Sequence, residues 1–139
     1  MHLLDTNIVS KLRKPKPHGA VVAWIEGLED TQLYLSAVTI GEIQSGIELT
    51  RSTNAEKAHE IERWLDQVAA TYNVLPMDSQ TFRRWARLMH GRSDDLIEDA
   101  MIAATALCHD LIVVTRNVRD FMPFGVRTLD PFSSVARRR

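Results

Sequence analysis

Acids in this chain recur where an apolar run stops or a helical pattern starts. Asp5 ends "HLLD", Glu42 follows "LYLSAVTIG", Asp99 opens "DAMIAATALCH" and Asp120 closes "TRNVRD". Singly, each has an ordinary structural use. Asp5 suits a helix N-cap; Thr39 and Glu42 have the spacing of a capping box. Asp94, Asp95, Glu98 and Asp99 stand where the positive end of a helix dipole favours acids. Jointly they make a different demand, because Asp5, Glu42 and Asp99 converging on one cleft would repel one another unless a cation neutralised them. Oxygen ligands without a cysteine or histidine cluster select Mg²⁺ or Mn²⁺ over Zn²⁺. One such ion, or a pair about 3.5–4 Å apart, serves the in-line displacement of phosphoryl chemistry. The acids therefore point to a phosphodiesterase.

Small polar residues accompany these acids. Thr6, Asn7, Ser36, Thr115 and Asn117 can hold carboxylates in the rotamers that a metal needs, and they serve equally well as local caps and turns. The five histidines are scattered, with no pair four apart around a glutamate, so a histidine metal site is not expected. The single cysteine, Cys108, excludes an internal disulfide and reads as core filler in a reducing compartment.

The elements that must position the acids are legible as an alternation. Strand candidates are residues 2–5, 33–36, 73–77, 111–115 and 126–129, and "LIVVT" has the aliphatic character of a strand covered on both faces. Between them, Ile61, Trp64, Leu65 and Val68, and then Phe82, Trp85, Ala86 and Met89, recur at helical spacing and read as core-facing stripes. "KPKPHG" breaks the chain before a further helix through Val21, Val22 and Ile25. Such alternation implies an α/β fold with a mostly parallel sheet and helices on both faces, whose cleft lies beyond the carboxyl ends of the strands. The length of 139 residues, 45% hydrophobic and 25% charged, is that of one globular domain with a real core. No apolar run is long enough to span a bilayer and no leader pattern opens the chain, which places it in the cytoplasm. The net charge of −1 provides no global field for a polyanion, so any nucleic acid must be held locally.

"LLDTNIVSKL", "LYLSAVTIGEIQSGIE", "EDAMIAATALCHDLIVVTRNVRDF" and "RTLDPF" together resemble, in order and from residue 2 to about 132, the signatures of PIN-domain proteins. The likeness is to the VapC/FitB-like toxins of bacterial toxin–antitoxin pairs. It implies a three-layer α/β/α fold with a central sheet of about five strands, a single domain over residues 1–132, and a basic disordered tail over 133–139. It also places the first three family acids on Asp5, Glu42 and Asp99 as metal ligands. The implied activity is Mg²⁺- or Mn²⁺-dependent endoribonuclease cleavage of a structured tRNA or rRNA. The implied partners are a VapB/FitA-like antitoxin, whose tail brings a basic side chain to the acids, and a second copy of the chain. Some relatives carry an aspartate where Asn117 stands, so the fourth acidic position, and with it a second metal, falls to Asn117 or to Asp120. Arg116 and Arg119 flank the cleft as candidate contacts for RNA phosphates.

Other classes fit less well. A phosphotransfer receiver domain wants adjacent acids after the first strand and a lysine after the last, and a dehalogenase-type phosphatase wants a second aspartate where Asn7 stands. A catalytically weak PIN-fold adaptor or nucleic-acid-binding regulator is the remaining alternative. Homodimer formation is expected from the abundance of large apolar side chains. These are Trp24, Trp64, Trp85, Phe82, Met77 and Met89, with Phe121, Met122 and Phe124 in a loop that needs cover.

Overall fold

Short aliphatic runs become strands when both faces can be covered, and five do so here. The structure, a computed structural model, describes residues 1–13 and 32–132. The "KPKPHG" break, the helix through Val21, Val22 and Ile25, Trp24 and the 133–139 tail lie outside the described residues. The strands are β1 (His2–Leu4), β2 (Leu33–Ser36), β3 (Asn73–Leu75), β4 (Ile112–Val114) and β5 (Thr128–Leu129). They form one sheet in the order β3-β2-β1-β4-β5, and every pairing is parallel. Leu3 lies opposite both Tyr34 of β2 and Val113 of β4. Because β1 is central and the chain runs outward from it first one way and then the other, the order of strands reverses between β1 and β4. That reversal opens a crevice at their carboxyl ends.

The helices among the described residues are α1 (Thr6–Leu12), α2 (Ala37–Arg51), α3 (Ala55–Thr71), α4 (Ser79–Met89), α5 (Ile97–His109) and the short α6 (Val118–Phe121). Strand alternation sorts the core into two sides. Leu3 and Val113 face α4 and α5, where Ala100, Ala103 and Ala106 let the helix approach closely and Phe121 and Phe124 fill the end. Leu4, Leu33, Leu35 and Val114 face the other way, against Ile8 and Val9 of α1 and Val68 of α3. Ile47, Ala58 and Leu65 seal α2 against α3. The result is the expected three-layer α/β/α arrangement. Leu3 and Leu4 are wholly buried, so truncating either to alanine would cost about 2–5 kcal/mol. Among the described residues no helix is long and apolar enough to cross a membrane.

Three local expectations change. On α4, Phe82 is 44% exposed and Ala86 is exposed, so of the expected stripe Trp85 and Met89 pack on the core, where Thr81 and Leu88 take the other two places. Asp78 Oδ1 accepts both the N–H and the hydroxyl of the buried Thr81, which satisfies that polar side chain on the inner face. Thr39 and Glu42 do not form a capping box, since Ser36 caps α2 by accepting the N–H of Val38. The loop after β4 needs less cover than expected: Phe121 and Phe124 lie in the chain's own core, leaving Met122 exposed. Phe121 and Phe124 therefore give no support to a dimer.

Candidate functional site

Asp5 stands at the crevice because β1 ends there. Its backbone N–H donates to the carbonyl of Val114 at 2.9 Å, so the first residue beyond β1 is tied to the last of β4. One carboxylate oxygen caps α1 by accepting the N–H of Thr6 at 2.8 Å, and the other accepts the hydroxyl of Thr115 at 2.8 Å. The helix-cap reading and the site reading of Asp5 are thus both met, by different oxygens. Thr115 is fully buried and its oxygen also accepts the N–H of Asn117 at 2.9 Å, which orients its single proton toward Asp5. The carbonyl of Asn117 in turn accepts the N–H of Asp120 at 3.0 Å, and this turn starts α6 and brings Asp120 back to the crevice.

Glu42 arrives from α2. The Thr6 hydroxyl donates to Glu42 Oε1 at 3.0 Å and lies 2.9 Å from the hydroxyl of Thr39. Having spent its proton on Glu42, Thr6 must accept from Thr39, so a relay runs Thr39 to Thr6 to Glu42 across two helices. α5 supplies Glu98 and Asp99 from its first turn. Burial raises Glu42 to about 7, a hydrogen bond with Glu98 adds to the rise, and the Thr6 bond opposes it. Burial raises Asp99 to about 6, reinforced by repulsion from Asp5, Asp120 and Glu98. Asp5 is also raised, chiefly by burial, against the pull of its bonds to Thr115 and Thr6 and with a contribution from Asp120. Acids from four separate stretches of chain therefore sense one another at the strand ends.

Thr6 and Thr115 hold carboxylates, as expected of them. Ser36 serves as a helix cap, and Asn117 contributes backbone groups rather than its side chain. Asp94 and Asp95 are exposed in a 3₁₀ turn before α5, the bland reading. Glu98, expected either beside the site or as a solvated helix start, lies close enough to Glu42 to raise it. Thr39 was missed as a partner; the available signal was its position one helical turn before Glu42, on the same face.

Among the described residues, no group of three or more His, Cys, Asp or Glu is arranged to hold a metal ion as it stands. The donor chemistry nevertheless fits a hard divalent cation: the groups that raise one another are all carboxylates, threonine hydroxyls orient two of them, and no imidazole or thiolate takes part. Asp5, Glu42 and Asp99 could hold such an ion, which would replace the proton now favoured on Glu42.

From Glu42 a groove of about 630 Å³ runs outward between α1, α2 and α3, polar at Thr6, Asn7 and Lys11 and apolar at Ile43, Ile47 and Trp64. A second cleft, of about 400 Å³, lies between Arg116, Asn117, Arg119, Asp120 and Asp130.

Residues 2–121 match the family model of the PIN domain. Toxin FitB of Neisseria gonorrhoeae is 33% identical over 140 residues, covering 95% of this chain and 99% of the relative. The VapC ribonuclease Y4jK of Sinorhizobium fredii is 33% identical over 138 residues, covering 95% and 98%. The crystal structure of FitAcB from Neisseria gonorrhoeae superimposes with a TM-score of 0.83 at 33% identity, over 95% of this chain and 99% of that one. A toxin–antitoxin complex from Klebsiella pneumoniae superimposes with a TM-score of 0.70 at 25% identity, over 96% and 99%. With its five-stranded parallel sheet, its acids gathered at the β1–β4 crevice and a match over most of its length, this chain belongs to the PIN-domain family.

Proposed function

We propose that this chain is a metal-dependent endoribonuclease, the toxin of a toxin–antitoxin pair, acting on a structured tRNA or rRNA. The observation that carries the reading is that burial raises Glu42, to about 7, and Asp99, to about 6, with the charge of the buried Asp5 adding to both. Like charges held at such a cost in a cleft indicate a cation as their natural counterpart. A relative named a VapC ribonuclease, at 33% identity, supports RNA as the polymer cut. Mg²⁺ or Mn²⁺ held by Asp5, Glu42 and Asp99 would supply the Lewis acidity that phosphodiester hydrolysis needs. Thr115 and Thr6 keep the carboxylates of Asp5 and Glu42 in fixed rotamers, and Asp120 provides the fourth acid in place of Asn117.

The groove beside Glu42 suits an antitoxin segment with apolar side chains for Ile43, Ile47 and Trp64 and an arginine at its end, since a guanidinium can satisfy Glu42 and Glu98 together. Structural likeness to a toxin–antitoxin complex supports this partner. The test is RNA cleavage by the purified chain, with 5′ ends mapped by sequencing. Cleavage should require Mg²⁺ or Mn²⁺, cease in EDTA and in Asp5→Asn, and stop when the product of an adjacent small gene is added in excess. Metal-independent binding of RNA without cleavage would instead identify the adaptor.

A further inference from the structure

We infer that Lys11 and Arg116, both held against the ring of Phe132, form a clamp for the phosphate backbone of RNA beside the acidic crevice. The inference rests on the ribonuclease reading and adds the group that brings a polyanion to a site that would otherwise repel it.

Three separate elements meet at this clamp. Arg116 directly follows Thr115, the residue bonded to Asp5, and its Cζ lies 4.5 Å from the centre of the Phe132 ring. Lys11, in the last turn of α1, places its Nζ 5.5 Å from the same ring. Phe132 comes from the turn after β5, where its N–H donates to Asp130 Oδ1 at 2.8 Å, and its ring packs on the cluster containing Leu4, Ile8 and Val9. The ring is therefore part of the core margin and cannot follow the cations into solvent.

A cation against an aromatic face is attracted without surrendering its N–H donors. Among the described residues, Arg116 and Lys11 make no ion pair or hydrogen bond that would occupy those donors, whereas Arg51, Arg92 and Arg127 are committed to carboxylates or carbonyls. Arg116 offers a planar fork and Lys11 a point charge, the two complementary ways of holding a phosphate. Holding both on one ring also removes the rotamer freedom that makes exposed cations weak binders. The charge balance points to RNA rather than a neutral ligand: the chain carries −1 overall and five acids at the crevice, so a substrate phosphate needs fixed positive charge at the rim. Arg119 lines the neighbouring cleft without a ring contact and is not a member of the clamp.

The test uses the full chain and a fluorescein-labelled single-stranded RNA oligonucleotide, with binding followed by anisotropy in EDTA across a salt series and cleavage followed separately with Mn²⁺. The double variant Lys11→Ala, Arg116→Ala should bind at least about 10-fold more weakly, and the slope of log affinity against log salt should fall by about 1.4, two phosphate contacts on a single strand. Phe132→Leu keeps both charges and should still weaken binding about 3-fold or more, the signature of a held pair rather than of charge alone. In cleavage the same variants should raise KM while kcat stays within about twofold, with thermal melts confirming that each is folded. The double variant Arg83→Ala, Arg87→Ala, on the exposed face of α4, removes the same two charges as a control and should change neither value. Wild-type affinity and salt slope in the double variant would overturn the clamp, as would a Phe132→Leu protein that binds RNA like wild type. A wild-type chain that neither binds nor cleaves RNA would instead overturn the ribonuclease reading beneath it.

Discussion

Replacing Glu42 by glutamine should stabilise the metal-free protein, and only above a defined pH. Glutamine keeps an oxygen to accept the Thr6 hydroxyl, now 3.0 Å away, while removing the charge that burial and Glu98 oppose. The rise of Glu42 from 4.5 to about 7, at about 1.4 kcal/mol per pH unit, corresponds to about 3 kcal/mol of penalty on the ionised form. Glu42 is only half-buried, so solvent screening reduces this to about 1–2 kcal/mol. Below pH 4.5 the carboxyl is protonated in both folded and unfolded chains and the penalty is absent. Between about 4.5 and 7 the unfolded chain releases the proton that the native state retains, so wild-type stability falls as pH rises. Above about 7 the loss is complete and constant. Melts in EDTA should therefore show Glu42→Gln and wild type nearly equal at pH 5, and the variant about 4–7 °C higher at pH 8. Added Mg²⁺ should raise the wild-type midpoint at pH 8 more than that of the variant. Equal midpoints at both pH values, or a variant less stable at pH 8, would refute the claim that Glu42 is held in the crevice against charge repulsion.

Other outcomes follow from the same geometry. Asp99→Asn should melt in EDTA at or above the wild-type midpoint, because burial and neighbouring acids oppose its charge, and lose RNA cleavage by at least about 100-fold, as expected when one charge is removed from a charge-stabilising site; kinetics under Mn²⁺ check this. Thr115→Val should weaken Mn²⁺ binding, measured by calorimetry, by about 10–100-fold, because Asp5 Oδ2 loses its orienting donor. Asp110 closes α5 in the left-handed region at φ 53, so Asp110→Gly should relieve more strain than the exposed pair with Arg127 is worth. Denaturant titration should show a gain of about 0.5 kcal/mol. The homodimer expected from the sequence, which this geometry does not itself support, should give a mass near twice 15.8 kDa in light scattering at micromolar concentration.

Much of the architecture was legible because the strands are short, aliphatic and followed by polar punctuation. Every strand candidate contains an observed strand, though ladder pairing trims 73–77 to Asn73–Leu75 and 126–129 to Thr128–Leu129. The acids were legible through one topological rule, that parallel strands point their carboxyl ends at the cleft. What depended on the rotation of a helix about its own axis was not. Spacing alone admitted a stripe through Phe82 and Ala86, whereas Thr81, bonded to Asp78, and Leu88 stand on the inner face with Trp85 and Met89. Thr39 was likewise hidden, because its importance lies in meeting Thr6 across a gap of many residues. The ring of Phe132 meets its two cations only after β4, β5 and α1 have packed together.

The central position of β1 constrains when the crevice can be completed during the chain's own synthesis. β1 is made before every other described element, yet it pairs on one edge with Leu33 and Tyr34 and on the other with Ile112–Val114. A ribosome-bound chain that has not yet exposed residue 115 has Asp5 but neither the Thr115 hydroxyl that orients it nor Asp120 beside it. Closing that second edge is a contact of very long sequence separation and correspondingly slow to form. On the proposed function, partial chains left by interrupted translation would be inert toward RNA, and the interval between completing the chain and docking β4 against β1 would be time in which an inhibitor could arrive first.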